Sequence, residues 1–243
     1  MLPIGIIVNV LAVIVGGVLG TIIGGRLSDM FISKMNLALS SCSFGMGIYS
    51  ISLMENMPAV VLAIVVGSAL GLACSLGMWI QRGARCMQRP IGKIFGRPSA
   101  LCEADFLSLL VTAIVLFCAS GTGIYGCLDL GMTGDNTILL AKSVLDLFTA
   151  MVFACSLGLV VSMISIPQLL LFLALFAVAK LIVPLTTPTM INDFKACGGF
   201  ILVATGFRVA GIRDFPIADM LPAMALVMPL SALWTSCVIP WLS

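Results

Sequence analysis

Residues Leu147 to Ala179 read LFTAMVFACSLGLVVSMISIPQLLLFLALFAVA, 33 residues without one charged side chain. A membrane-spanning helix needs roughly 20 mainly apolar residues. The stretch is too long for one ordinary span and too apolar for the surface of a soluble domain. Its natural interruption is Ser165-Ile-Pro-Gln168, because proline disfavours helical backbone in the residue before it. The run therefore reads as parts of two spans, a fifth near Thr137 to Met163 and a sixth near Pro167 to Leu185.

Working outward, Met1–Gly25, Met35–Met54, Asn56–Gln81, Phe106–Leu128 and Met220–Ser243 are also free of charge. The chain is 61% hydrophobic and 9% charged, against roughly 25% charged in a soluble domain. So few charges cannot cover a water-facing surface. The expectation is an all-α membrane protein with about eight transmembrane helices, its main partner the lipid bilayer. The remaining spans are Pro3–Gly24, Asn36–Leu53, Pro58–Ile80, Phe106–Leu128, Ala196–Ile212 and Met220–Trp241. The seventh is the weakest, because it contains Arg208; half-insertion of that helix would leave seven spans. The N-terminus lacks the basic region and cleavage site of a signal peptide, so it reads as a retained first span. A net charge of +2 gives no nucleic-acid signal. Most of the nine cysteines sit inside apolar stretches, where they read as small buried hydrophobes.

Orientation follows from the basic residues. Arg82, Arg85, Arg89, Lys93 and Arg97 crowd the connection Arg82–Asp105, which the positive-inside rule makes cytoplasmic. Arg26, Lys34, Arg208 and Arg213 then lie inside as well. Glu55, Asp129, Asp135 and Asp193 fall in outer connections, and both termini come out on the outer side of a bacterial inner membrane. The basic connection also suits a short helix lying on anionic lipid.

The chain echoes itself. Cys42-Ser-Phe-Gly-Met-Gly-Ile-Tyr49, followed by Glu55-Asn-Met-Pro58-Ala, corresponds to Cys197-Gly-Gly-Phe-Ile-Leu-Val-Ala-Thr-Gly206, followed by Asp219-Met-Leu-Pro222-Ala. In each copy an acid, Glu55 or Asp219, precedes proline by three residues. An acid suits a helix N-terminus, where the macrodipole favours negative charge, and proline suits the first turn. Five spans separate equivalent helices, an odd number, so the copies face opposite ways. The expected organisation is one membrane domain over 1–243. It has a first repeat at 1–80, a basic loop at 81–105, a central hairpin at 106–163 and a second repeat at 164–243. Inverted repeats of spans one to three and six to eight are a recurrent transporter architecture.

The chain also resembles the YqgA-like family of bacterial multi-pass inner-membrane proteins, a family of unknown function. The likeness rests on Pro3-Ile-Gly-Ile-Ile-Val-Asn9, Met46-Gly-Ile-Tyr49 and Pro58-Ala-Val-Val-Leu-Ala63. It rests also on Gly131-Met-Thr-Gly-Asp135, Leu140-Ala-Lys-Ser-Val-Leu-Asp146, Ala196-Cys-Gly-Gly199, Ala204-Thr-Gly206 and Met220-Leu-Pro-Ala223. The resemblance implies a multi-pass inner-membrane protein and supplies no substrate and no site residues.

Ionisable side chains inside a bilayer cost ~2.5–3.5 kcal/mol or more, so each asks for a reason. Lys142 and Asp146 stand four residues apart, hence on one helix face, and Asp146 falls near mid-membrane. The pair reads either as a cation or proton site with an exchanging counter-charge, or as a structural ion pair. Asn9, Gln168 and Arg208 are the further candidate ligands, with interhelical bonding as the plain alternative for the amides. Leu185-Thr-Thr-Pro-Thr189 and Gly121-Thr-Gly123 look like interruptions of broken helices. Gly16, Gly20 and Gly24, and Gly67 with Gly71, form small-residue ridges for close helix packing or for contacts between copies of a homo-oligomer.

No histidine is present, which removes His-based metal sites and catalysis. No nucleotide-binding Gly-rich loop with Lys-Ser/Thr is encoded, and no metal or cofactor is implied. Gly131-Met-Thr-Gly-Asp135 lacks the spacing of an intramembrane aspartyl protease, so no enzyme is expected. The leading expectation is a secondary transporter or exchanger of a small solute or ion, binding near the midplane between repeats. An oligomeric channel and a non-transporting scaffold or sensor are the alternatives.

Overall fold

The computed structural model describes residues 3–23, 28–95 and 103–242; Gly24, Arg26 and Arg97 lie outside them. The helices are α1 (Ile4–Ile23), α2 (Asp29–Ile51), α3 (Met57–Ala73), α4 (Leu76–Phe95), α5 (Glu103–Cys118), α6 (Gly121–Thr133) and α7 (Thr137–Leu157). They continue with α8 (Val160–Met163), α9 (Ser165–Ile182), α10 (Pro188–Val209), α11 (Ile217–Met220), α12 (Pro222–Leu233) and α13 (Ile239–Leu242). The described residues contain no strand. Backbone polar groups in lipid must be satisfied internally, and helices do that within one segment.

Among the described residues, five helical segments are long and apolar enough to cross a membrane. They are Ile4–Ile23, Leu109–Thr133, Thr137–Leu157, Val160–Leu185 and Ile217–Val238. Met57–Ala73 with Leu76–Gly83, bent by 60°, makes a sixth if the pair is one span. These five or six segments stand beside the eight spans expected from the sequence. Helices α2 and α10 replace the second and seventh spans, but both start earlier than expected and take in charged residues. Asp29 and Lys34 lie in α2, and Asp193 and Lys195 in α10.

Several boundaries move for local reasons. The long apolar run breaks at Gly158, whose φ of +69° suits glycine, and only secondarily at Ser165–Gln168. Pro167 sits in the first turn of α9, where its missing N–H is harmless. The third span breaks at Cys74–Ser75, with Ser75 at φ +51°. The basic connection is largely helical, as α4. Thr187 caps α10 by accepting from Met190 N at 3.3 Å, with Pro188 in the first turn. Two residues assigned to outer connections lie in helices instead: Asp129 in α6 and Asp193 in α10, both buried.

The chain packs into two compact units, each drawn from two separate stretches of sequence. Unit one is 1–35 with 79–179; unit two is 36–78 with 180–243. In unit one, α1 and α7 run parallel. Gly5 N donates to Asn136 Oδ1 at 2.8 Å at the start of both helices. Further along, a Cβ on Gly16 would lie 2.9 Å from Ala150 Cβ, and one on Gly20 would lie 2.8 Å from Ala154 Cβ. Small residues let the two backbones touch. In unit two, Gly67 abuts Ala223, and Gly71 abuts the backbone of Asp219. These four glycines thus serve close helix packing inside the chain, as their small-residue spacing suggests.

Candidate functional site: a polar layer between two apolar clusters

Unit one has two apolar clusters. One gathers Val13, Phe106, Leu110, Phe117, Ala150 and Ile164 with their neighbours. The other gathers Ile6, Val10, Cys127, Leu139, Phe172 and Phe176. On α7 Lys142 and Asp146 lie between Leu139 and Ala150, and on α9 Gln168 lies between Ile164 and Phe172, where each helix passes from one cluster to the other; Asn9 lies on α1 between Ile6 and Val10, at the inner edge of the second cluster. The break between α5 and α6 falls at the same transition, between Cys118 and Cys127.

The layer is buried and tightly bonded. Asn9 and Gln168 are 0% exposed, Lys142 3% and Asp146 5%. Lys142 Nζ lies 2.7 Å from both Asp146 Oδ1 and Oδ2, as the i, i+4 spacing on a helix face allows. Asn9 Nδ2 donates to Asp146 Oδ2 at 2.9 Å, and Gln168 Nε2 donates to Asn9 Oδ1 at 2.7 Å. Gln168 Nε2 also stands 3.5 Å from Asp146 Oδ2. Buried charges persist when paired and hydrogen-bonded, and here one ammonium and two amides serve one carboxylate. Gln168 Oε1 is buried without a donor. Asp146 is the tenth of the 21 residues of α7, so the layer is central along that helix.

The α6 N-terminus abuts this layer. Ser120 caps it, its Oγ accepting from Gly123 N at 3.1 Å. A Cβ on Gly123 would lie 3.0 Å from Lys142 Cε and 2.6 Å from Phe172 Cζ. Gly123 thus makes room for the lysine stem. The Gly121-Thr-Gly123 interruption lies beside Lys142; the Thr186–Thr189 interruption belongs to the cap of α10.

Arg208 is not brought into the layer. It belongs to unit two and pairs with Asp214 at 3.0 Å, the side chains 40% and 82% exposed. The acids of the sequence echo also divide. Asp219 Oδ1 accepts Gly77 N at 2.8 Å, serving the start of α4 and not the helix of its own copy. Glu55 precedes the N-cap Asn56 of α3, and its Oε1 accepts Asn192 Nδ2 at 2.6 Å. The carboxylate at the α3 terminus is Asp193, which is 0% exposed. Its Oδ1 accepts Glu55 N and Asn56 N at 2.9 and 2.8 Å. Its Oδ2 accepts Asn56 Nδ2 at 3.0 Å and Ser231 Oγ at 2.6 Å, and Asn56 Nδ2 also reaches Thr235 Oγ1 at 3.2 Å.

This second cluster went unrecognised in the sequence. Its signal was Thr187-Pro188, a cap residue followed by first-turn proline, which starts α10 early enough to place Asp193 within the helix.

Comparison with known proteins gives a family without an assigned activity. Residues 4–232 match the family described as "Protein of unknown function (DUF554)". The chain is 47% identical over 233 residues to the uncharacterized protein YqgA of Escherichia coli (strain K12), covering 96% of this chain and 98% of the relative. It is 24% identical over 222 residues to the uncharacterized membrane protein YdfK of Bacillus subtilis (strain 168), covering 91% and 93%. No solved structure matches.

Proposed function

We propose, from the premise that this chain belongs to the DUF554 family, that it is a secondary transporter or exchanger of a small solute or ion. The observation that carries this reading is the Lys142–Asp146 pair, buried midway along an apolar helix and bonded to amides from α1 and α9. A charge pair in this position is expensive unless it has work to do. The adjoining α6 terminus supports the reading, because broken helices whose ends face the midplane are a transporter device.

An inverted repeat is part of the proposal. A two-fold axis in the membrane plane requires equivalent helices to run antiparallel, and contacts within each unit agree. On α1 and the α8–α9 segment, Asn9 meets Gln168 while Gly17 meets Ser162. On α3 and α12, Asn56 meets Ser231 while Gly67 meets Ala223. On α2 and α10, Gly47 meets Gly199 while Phe44 meets Gly206. The proposed setting is a bacterial inner membrane with both termini outside. No enzymatic activity is assigned.

Purified protein in sealed vesicles, adsorbed on a capacitive membrane and stepped between salts, tests the transport reading. A transient current from the native chain that is lost in Lys142→Met is expected. Tight, protein-filled vesicles giving no current across inorganic cations, halides and small carboxylates would sink it.

A further inference from the structure

We infer that the site takes a small monovalent anion together with a proton, and that the Asp146–Asn9–Gln168 chain reverses its hydrogen bonds to link the two. This inference rests on the transport reading and specifies its chemistry.

The Lys142 ammonium, held against both carboxylate oxygens, decides between a proton and a metal cation. Asn9 and Gln168 each turn an N–H toward Asp146, and Lys142 presents its ammonium to both carboxylate oxygens. A metal cation needs a shell of oxygens, yet around Asp146 it meets N–H groups and a positive charge. A proton needs a single oxygen.

The amide orientations are fixed by one another. An ionised Asp146 only accepts, so Asn9 must direct Nδ2 at it and Oδ1 away. Asn9 Oδ1 then requires a donor, which turns Gln168 Nε2 toward it and Oε1 away. That leaves Gln168 Oε1 buried with no donor from the protein itself.

A proton on Asp146 inverts the row. The carboxyl now donates its O–H to Asn9 Oδ1 after that amide turns over. Asn9 Nδ2 donates to Gln168 Oε1 after the second amide turns over. The arrangement keeps its shape, because each amide only exchanges its N and O, which are nearly the same size. The free edge of Gln168 changes from acceptor to donor. At the same step Lys142 loses its counter-charge.

A buried lysine without a partner is costly, and an anion at Lys142 restores neutrality. The α6 terminus beside its Cε adds a favourable end of a helix dipole. The balance is simple: a proton from solution goes to an Asp146 oxygen, and an anion beside the Lys142 ammonium supplies the negative charge that the carboxylate has given up. No covalent bond between heavy atoms forms or breaks. The other titratable groups toward the pair are the thiols of Cys118 on α5 and Cys127 on α6. Tyr125 and Asp129 are also buried on α6. Helices α1 and α8 contribute no titratable side chain, and α9 only Lys180, in its last turn.

The test is proton counting on the purified full-length chain in weakly buffered detergent with a pH dye. The probes are sodium and choline salts of chloride, formate and lactate. Proton uptake that follows the anion and ignores the cation is expected, with binding weakening by up to about tenfold per pH unit as pH rises. Asp146→Asn, which cannot ionise, should bind the same anion without proton uptake and without pH dependence. Anion binding by the native chain with no proton uptake overturns the inference. Proton release that follows sodium overturns it too, while leaving transport standing as cation exchange. So does the absence of any proton change with every salt. Transport itself falls separately, if the vesicle currents are absent. The native measurement needs no variant, so misfolding of Asp146→Asn does not rescue the idea.

Discussion

Asn9 donates its side-chain N–H to Asp146 at 2.9 Å across 137 residues of sequence, joining α1 to α7 in the middle of their shared glycine-lined contact. The bond places a buried polar fastening inside an interface where small residues let the two backbones touch.

That fastening separates structure from function by mutation. Removing Lys142 alone or Asp146 alone leaves a buried charge without its partner, at a cost of about 3–5 kcal/mol. Both single variants are expected to express poorly and melt early in detergent. Lys142→Met with Asp146→Leu removes both charges and should recover expression. If the double variant recovers transport current as well, the pair serves folding alone.

The close approach of α1 to α7 predicts a second effect. A Cβ on Gly16 or Gly20 meets backbone of α7 together with Ala150 or Ala154. Gly16→Ala and Gly20→Ala should each cost about 1–3 kcal/mol as overpacking. Gly45→Ala is the control: nothing lies within 4 Å of its added Cβ, and alanine favours helix by about 0.5–1 kcal/mol. Thermal unfolding in one detergent compares all three. Equal melting of Gly16→Ala and Gly45→Ala would contradict the contact.

The two carboxylates at helix starts should differ in cost. Asp219 accepts the backbone N–H of Gly77, and its replacement by alanine should cost about 1 kcal/mol, like a lost cap. Asp193→Ala strands the donors of Glu55, Asn56 and Ser231 in a buried place. Each stranded donor costs about 1–3 kcal/mol, so Asp193→Ala should be much the worse. Equal unfolding midpoints for the two variants would refute the ranking.

Arg208 should matter little. Its pair with Asp214 is exposed, and such pairs contribute about 0–1 kcal/mol. Arg208→Ala is expected to keep both its melting temperature and any transport current. Loss of current with normal folding would return Arg208 to the site.

Topology is tested in cells. A cysteine at position 92, in a background without native cysteines, is expected to resist an impermeant thiol reagent added from outside. Labelling in sealed cells would reverse the assigned orientation.

The apolar character of the chain, the bounds of α1 and the Lys142–Asp146 pair were legible because composition, charge-free length and i, i+4 spacing are local signals. Asn9 and Gln168 were legible as expensive amides, although their shared order along one hydrogen-bonded row depends on how three helices pack. Arg208 misled because its partner, Asp214, lies in the adjoining turn, where the arginine stays exposed. Asp193 was assigned to a connection because charge outweighed the Thr187-Pro188 start signal. The double duty of Gly123, ending a cap and admitting a lysine stem, exists only once α6 meets α7. The count of spans suffered from the same limit: charge-free length does not reveal that Ser75 bends one segment or that α2 and α10 extend through charged turns.

The polar layer lies between two separate apolar clusters, and this gives unit one the arrangement of an airlock. Under the proposed transport, the cluster of Ile6, Leu139 and Phe176 and the cluster of Val13, Phe117 and Ile164 would serve as two doors, one parting while the other stays sealed, so that Lys142 would face one compartment at a time.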